Sequence, residues 1–191
     1  MIYSFKPGKW ENSGLEYAYS WRFERFPRFR QEADCIENNP IPDVENDFDY
    51  MGLMTPERYG AGTTLSVKMR FENLAAPMLL LSMDHELDGQ GHIRTLEYYE
   101  IVIWKYGLTV WRHYTNDRVP GHYLTLGTKF PLEESKVHTL TAEILSKRLK
   151  LTVDGAHEMD LYLPDLADSL NLGFCACEGI CGIYDMEIKT P

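Results

Sequence analysis

No hydrophobic run in this sequence approaches the ~20 residues that a membrane-spanning helix needs. The longest, residues 75–83, is interrupted by Pro77. The opening MIYSFKPGKW lacks the apolar centre and small-residue cleavage site of an export signal. A cytoplasmic chain, or a mature or excised segment, is therefore expected, with no membrane partner. Helical periodicity is equally scarce, and the short stretches 55–59 and 165–170 are the helix candidates. The sequence has no G-x-S-x-G, no phosphate-binding glycine loop and no dinucleotide fingerprint. Its six histidines never fall into H-x-x-x-H or H-E-x-x-H, so a zinc hydrolase is unsupported. Positive charge is in short supply: 19 Lys and Arg face 29 Asp and Glu, for a net charge of -10. The basic residues cluster only at Arg22, Arg25, Arg28 and Arg30, and again at Lys147, Arg148 and Lys150. Such a surface repels phosphate backbones, which argues against a nucleic-acid partner, but it does not oppose neutral sugars.

The four cysteines are Cys35, Cys175, Cys177 and Cys181, the last three spaced C-x-C-x-x-x-C. Zinc sites favour C-x-x-C with further ligands nearby. Small buried thiols in a late strand are the expectation here, and a Cys35–Cys181 bridge stays open.

What the sequence has is alternation. Period-2 patterns run through 15–22, 62–71, 78–83, 98–104, 108–114, 138–145, 148–153, 158–163, 171–177 and 183–188. Twelve Tyr and four Trp fit both strands and wet binding surfaces. A length of 191 residues is that of one domain, expected to span 1–191. Many short strands in one domain imply a sandwich or barrel. The segment 38–59, rich in Asn, Asp and Pro, reads as a long polar loop. One hairpin turns at Ser146-Lys147, and Asp154-Gly155 ends its second strand. Another, IVIWKYGLTVW, turns around Gly107.

The stretch from Lys136 to Ile188 carries a resemblance. VHTLTAEIL, RLKLTVDG, LYLP, LGFCACEG and IYDMEI follow one another like the closing strands of the concanavalin A-like lectin/glucanase superfamily. GTTLSVKMRFE and LEYYEIVIWKYGLTVW are similar to its middle strands. The resemblance implies an all-β fold: a two-sheet antiparallel jelly-roll sandwich, with glycans on a concave sheet or its rim. It implies a lectin, a carbohydrate-binding module, a glycosidase or a polysaccharide lyase. The E-x-D-x-x-E and E-x-D-x-E strings of the glucanase branch are missing. The nearest strings are Glu45-x-Asp47-x-Asp49 and Glu86-x-Asp88. Binding of an oligo- or polysaccharide is thus favoured over hydrolysis, with no cofactor. The alternatives are a glycosidase or lyase using another acid/base pair, and an oligomer-forming sandwich such as a homodimer.

The hairpin 98–114 holds the candidate site. Tyr99, Ile101 and Ile103 share one strand face and suit a core, leaving Tyr98, Glu100, Val102 and Trp104 on the other. A carboxylate among aromatics suits sugar hydroxyls and the apolar face of a pyranose. A three-residue turn, 105–107, would pair Glu100 with Arg112 and bring Tyr114 near. A two-residue turn, 106–107, would pair Glu100 with His113 and bring Trp111 near. The first register suggests an ion pair for binding, the second an acid/base couple of Glu100 and His113. In MDHELDGQGH, Asp84, Glu86 and Asp88 resemble the start of a calcium loop, for a structural Ca²⁺, but Thr95 stands where the final Glu belongs. Asp185 and Glu187 share a late strand face and are expected to be structural.

Overall fold

The computed structural model describes residues 1–20, 29–38, 50–116 and 119–191. Among these there is no helix. The strands are β1 (Ile2–Ser4), β2 (Glu16–Ser20), β3 (Arg30–Gln31), β4 (Ile36–Glu37), β5 (Tyr50–Gly60), β6 (Thr64–Glu72), β7 (Met78–Leu87) and β8 (Ile93–Trp104). They continue as β9 (Gly107–Asn116), β10 (Val119–Lys129), β11 (His138–Leu145), β12 (Arg148–Val153), β13 (His157–Tyr162), β14 (Ser169–Cys177) and β15 (Ile180–Lys189). The first sheet runs β13-β12-β11-β6-β15-β4-β3, with β1 also on β15. The second holds β10, β9, β8, β2, β5, β14 and β7. The two sheets form the jelly-roll sandwich that the resemblance implied.

The edge of the first sheet is the simplest case of pattern dictating place. β11 and β12 alternate buried and accessible residues, so one face meets the core and one meets water. Their turn at Ser146-Lys147 and the one at Asp154-Gly155 form where expected, with φ of 54° at Lys147 and 53° and 66° at the latter pair. Lys147 and Arg148 pair with Asp168 and Asp160, and Lys150 lies beside Glu158, so this basic run is matched by carboxylates. Asp185 likewise meets Lys68.

The second sheet behaves differently. β5, β7 and β14 each bury six or more residues in a row, so both of their faces are covered. One face carries Met51, Leu53, Leu79, Leu81, Tyr99, Ile101, Phe174 and Ala176 into the core between the sheets. The other carries Met54, Met78, Leu80, Tyr98, Val102, Cys175 and Cys177 into a second, separate cluster. A bend in the sheet covers that cluster. β8, β7, β14, β5 and β2 close into a ring, because β2 bonds β5 on one side and β8 on the other. The β2–β8 pairing is parallel, joining Ala18 to Ile93 and Ser20 to Thr95. It departs from the otherwise antiparallel plan.

Several expectations change. The helix candidates are not helical: 55–59 lies in β5, and 165–170 is a turn leading into β14. The polar loop ends earlier than its composition suggested, since 50–60 is strand; residues 39–49, with Glu45, Asp47 and Asp49, lie outside the described residues. Arg22, Arg25 and Arg28 lie outside them too, while Arg30 pairs with Glu32 and Glu37. All four cysteines are free and buried, so the Cys35–Cys181 bridge is not formed. Burial raises the Cys35 thiol to about 11 and the Cys181 thiol to about 12, which keeps both protonated and unreactive.

Ring closure depends on a close approach at Gly52. A Cβ there would sit 2.9 Å from the Ala18 carbonyl oxygen and 3.0 Å from that of Phe174. Both are backbone atoms of bonded neighbours, so neither can yield alone. Gly52→Ala is expected to lower stability by about 1–3 kcal/mol, as overpacking does. Amide exchange should accelerate first at residues 18–20. An unchanged denaturation midpoint would show that the ring tolerates the wedge.

Candidate functional site

The described residues leave part of the ring's inner face uncovered. Where β9 and β10 run past it, a cleft of about 310 Å³ opens over β8. Glu100, Val102 and Trp104 of β8 form its floor, with Thr109 and Trp111 of β9 and His122 of β10 along one side. Cys177, Glu178 and the 74–76 turn close the other side.

The hairpin that builds the floor adopts neither anticipated register. Trp104 pairs with Gly107 and Glu100 with Trp111, so the turn is Lys105-Tyr106. Gly107 is the first residue of β9, at φ +140°, rather than part of the turn. It is glycine because β10 crosses close by: a Cβ would lie 2.1 Å from the Thr128 carbonyl oxygen. The register puts Trp111 and His113 on the Glu100 face and turns Arg112 and Tyr114 to the opposite one.

Glu100 is 1% exposed and His113 is fully buried. His113 Nε2 lies 2.9 Å from Glu100 Oε2. The distance is that of an ion pair, but the contact is not aligned as a hydrogen bond, and His113 Nδ1 is buried with no hydrogen-bond partner. Tyr50 donates its hydroxyl to Glu100 Oε1 over 3.3 Å. Burial, then the neighbouring Cys175, Tyr98 and Glu100, push the Tyr50 hydroxyl well above its ordinary pKa, so it stays a donor. The His113 ring stacks on Tyr98 at 4.4 Å, 5° from parallel, and on its other side on His122 at 5.5 Å. His122 is exposed and also leans against Trp111 at 5.8 Å. A column of rings thus runs from the second core out to the cleft. Trp104 and Trp111 are partly buried, and Trp104 belongs to neither core cluster.

The other candidates sit elsewhere. Arg112, 7% exposed at its side chain, reaches Asp165 and Glu97 at 2.8 Å each. It pins the 163–168 turn to the sheet, together with the Tyr99 hydroxyl, which donates to Asp165. Tyr114 lies across Gly121 and near Tyr123. Among the described residues no three carboxylates, histidines or thiols come together as a metal site. Glu86 pairs with Arg94, and Asp88 accepts the backbone N–H groups of Gln90 and His92. Asp84 accepts that of His85. The three carboxylates therefore do not converge. Sequence reasoning missed Tyr50, Leu74, His122 and Glu178. Leu74, at the cleft mouth, is 60% exposed and holds φ at +64°, unusual for a bulky side chain.

No protein-family model matches the chain, and no curated protein does. Solved structures match its fold. A carbohydrate binding module, CBM66 from Bacillus subtilis, superposes with a TM-score of 0.64 at 9% identity over 86% of this chain and 92% of that one. Beta-agarase A from Zobellia galactanivorans does so with a TM-score of 0.64 at 10% identity over 86% and 76%. A beta-1,3-glucanase from Mycobacterium marinum gives 0.56 at 12% over 99% and 97%. The fold is the concanavalin A-like jelly roll.

The Arg112 cluster gives a pH prediction. Burial alone would raise the Asp165 carboxyl, but hydrogen bonds from Tyr99 and Arg112 outweigh it and hold it below the ordinary carboxylate range. Its contribution to stability is therefore full above the unfolded value near ~3.9 and lost as pH falls through the lower folded value. Arg112→Ala should cost roughly 2 kcal/mol, less than a fully buried pair because both carboxylates keep contact with water. It should also flatten the loss of stability below about pH 4. Urea midpoints measured across that range decide it, and a variant as acid-sensitive as the parent would refute the linkage.

Proposed function

We propose that this protein binds a carbohydrate chain in the cleft over Glu100, Trp104 and Trp111. The observation that carries this is the juxtaposition of two partly exposed tryptophan rings with a carboxylate at the cleft floor. Sugars present CH-rich faces that stack on aromatic rings and hydroxyls that donate to carboxylates. The cleft offers both within one cavity. His122 adds a further ring and a polar edge. Structures of the same fold that are named as a carbohydrate binding module, beta-agarases and a beta-1,3-glucanase lend weight to a carbohydrate ligand.

Binding is favoured over hydrolysis by the engagement of Glu100. Tyr50 meets one of its oxygens and His113 the other. A carboxylate held in this way is a fixed acceptor, and a general acid or base must reach its proton within hydrogen-bond distance in a substrate pose. The second carboxylate of the cleft, Glu178, is exposed on the turn between β14 and β15.

A glycan array with analysis of products tests the reading. At least one oligosaccharide should bind, with no shorter products appearing. Trp104→Ala should weaken binding about tenfold, equivalent to roughly 1.4 kcal/mol, at an unchanged melting temperature. Glu100→Gln should reduce affinity modestly. Release of new reducing ends by the parent, with a 10²–10⁴-fold rate loss in Glu100→Gln, would replace binding by acid/base catalysis. A large fall in melting temperature for Trp104→Ala, with binding intact, would move the site elsewhere.

A further inference from the structure

Trp104 borders a second depression. At the turn end of the β8–β9 hairpin, a shelf of about 420 Å³ is lined by Trp104, Tyr106, Lys129, Phe130 and Pro131. We propose that the glycan continues past Trp104 onto this shelf, and that the sugar seated there carries an anionic group; this rests on the carbohydrate reading above.

Shape supports continuity. Trp104 and Tyr106 stand edge to face, with centroids 4.9 Å apart and planes at 85°, so together they form a corner. Tyr106 is 53% exposed although it is a large ring. Phe130 is braced from behind by His157, stacked at 3.9 Å. The shelf is rigid in its backbone too: Phe130 N–H donates to the Tyr106 carbonyl at 3.2 Å, and Leu132 N–H to that of Lys105 at 3.0 Å. A preformed aromatic corner binds a ring without first ordering a loop, which keeps the entropic cost low.

Charge separates the two halves. Among the described residues the first cleft is lined by two carboxylates, Glu100 and Glu178, and by no lysine or arginine. Among the described residues the shelf is lined by Lys129 and by no carboxylate. Lys129 is exposed and makes no ion pair with a described residue. Lys105 Nζ lies 4.9 Å from the Tyr106 ring centroid, on the hairpin turn beside the shelf. It also borders a hollow with Glu72 and Glu134, so its charge is shared. The chain as a whole is at -10. A local cation on an acidic protein therefore distinguishes one end of a ligand from the other. The fitting ligand has a hydroxyl-rich sugar over Glu100 and a carboxylated or sulfated sugar over Tyr106.

The experiment uses two probe pairs matched in length, two to six sugars. Neutral agaro-oligosaccharides are compared with sulfated carrageenan oligosaccharides, and neutral galactans with carboxylated oligogalacturonides. Parent, Trp104→Ala, Tyr106→Ala and Lys129→Gln are titrated calorimetrically at low and high salt. Acidic chains of four or more sugars should bind at least tenfold tighter than neutral ones of the same length. Lys129→Gln should remove most of that preference, and Tyr106→Ala should remove the gain from added length. High salt should shrink the preference, since exposed charges are screened within ~3 Å at 1 M. The pair showing the preference identifies the anion as sulfate or carboxylate. Equal binding of neutral and acidic chains, or full affinity in Tyr106→Ala, overturns the second subsite while Trp104-dependent binding leaves the first intact. Failure of every probe to bind at Trp104 overturns both.

Discussion

Strands that are apolar on both sides must be covered on both sides, and this requirement organises the second sheet. β14 runs Leu-Asn-Leu-Gly-Phe-Cys-Ala-Cys with every residue buried, and β7 begins with six buried residues. The first sheet covers only one face of such strands. The opposite face would lie open to water, at about 25 cal/mol for each Å² of apolar surface. The chain covers it by curling the sheet until β2 reaches β8, which encloses a second core around Tyr98, Leu80 and Cys175.

The cleft follows from where that closure stops. Inside the ring, the inner face is a cluster of buried side chains. Beyond it, no described residue covers β8, β9 and β10, and the same face turns from Tyr98 and Val102 to Trp104, Thr109 and Trp111. Glu100 sits at the boundary. A buried carboxylate is costly unless it is hydrogen-bonded or paired; Tyr50 from β5 donates to one oxygen of Glu100, and His113 from β9 lies 2.9 Å from the other. The polar group of the site is thus held from the core side, by residues of two neighbouring strands, while the rings face the open side.

The fold was legible because alternation is a local signal. β11 and β12 begin and end where the pattern predicts, and their turns carry residues suited to positive φ. β10 escaped notice because it is an edge strand, mostly solvent-exposed, with Pro120, Gly121 and Gly127 in its run. β5 escaped because it starts inside a polar stretch and contains Gly52 and Pro56. The face of Glu100, Trp104 and Trp111 could be anticipated from a single strand and its partner. The exact pairing could not, because Gly107 looks like a turn residue and serves instead as the place where β10 crosses. A shift of one residue decided that Arg112 and Tyr114 point away. Tyr50, His122 and Glu178 come from three other segments, and only the fold brings the first against Glu100 and the other two to the cleft.

The parallel pair of β2 and β8 has a kinetic meaning. It joins Ala18 to Ile93 and Ser20 to Thr95, partners separated by 75 positions, whereas β8 and β9 meet through a tight turn. Closing a span of that length is entropically slow and brings few bonds at first. The β8–β9 hairpin carries far less of this cost than the ring, whose β5–β14 and β7–β14 pairings span still more of the chain. Until it closes, the strip of Leu80, Tyr98 and Cys175 is exposed beside unpaired strand edges, the combination from which β-proteins misassociate. β2 is thus the seal over the stickiest strip of the second sheet.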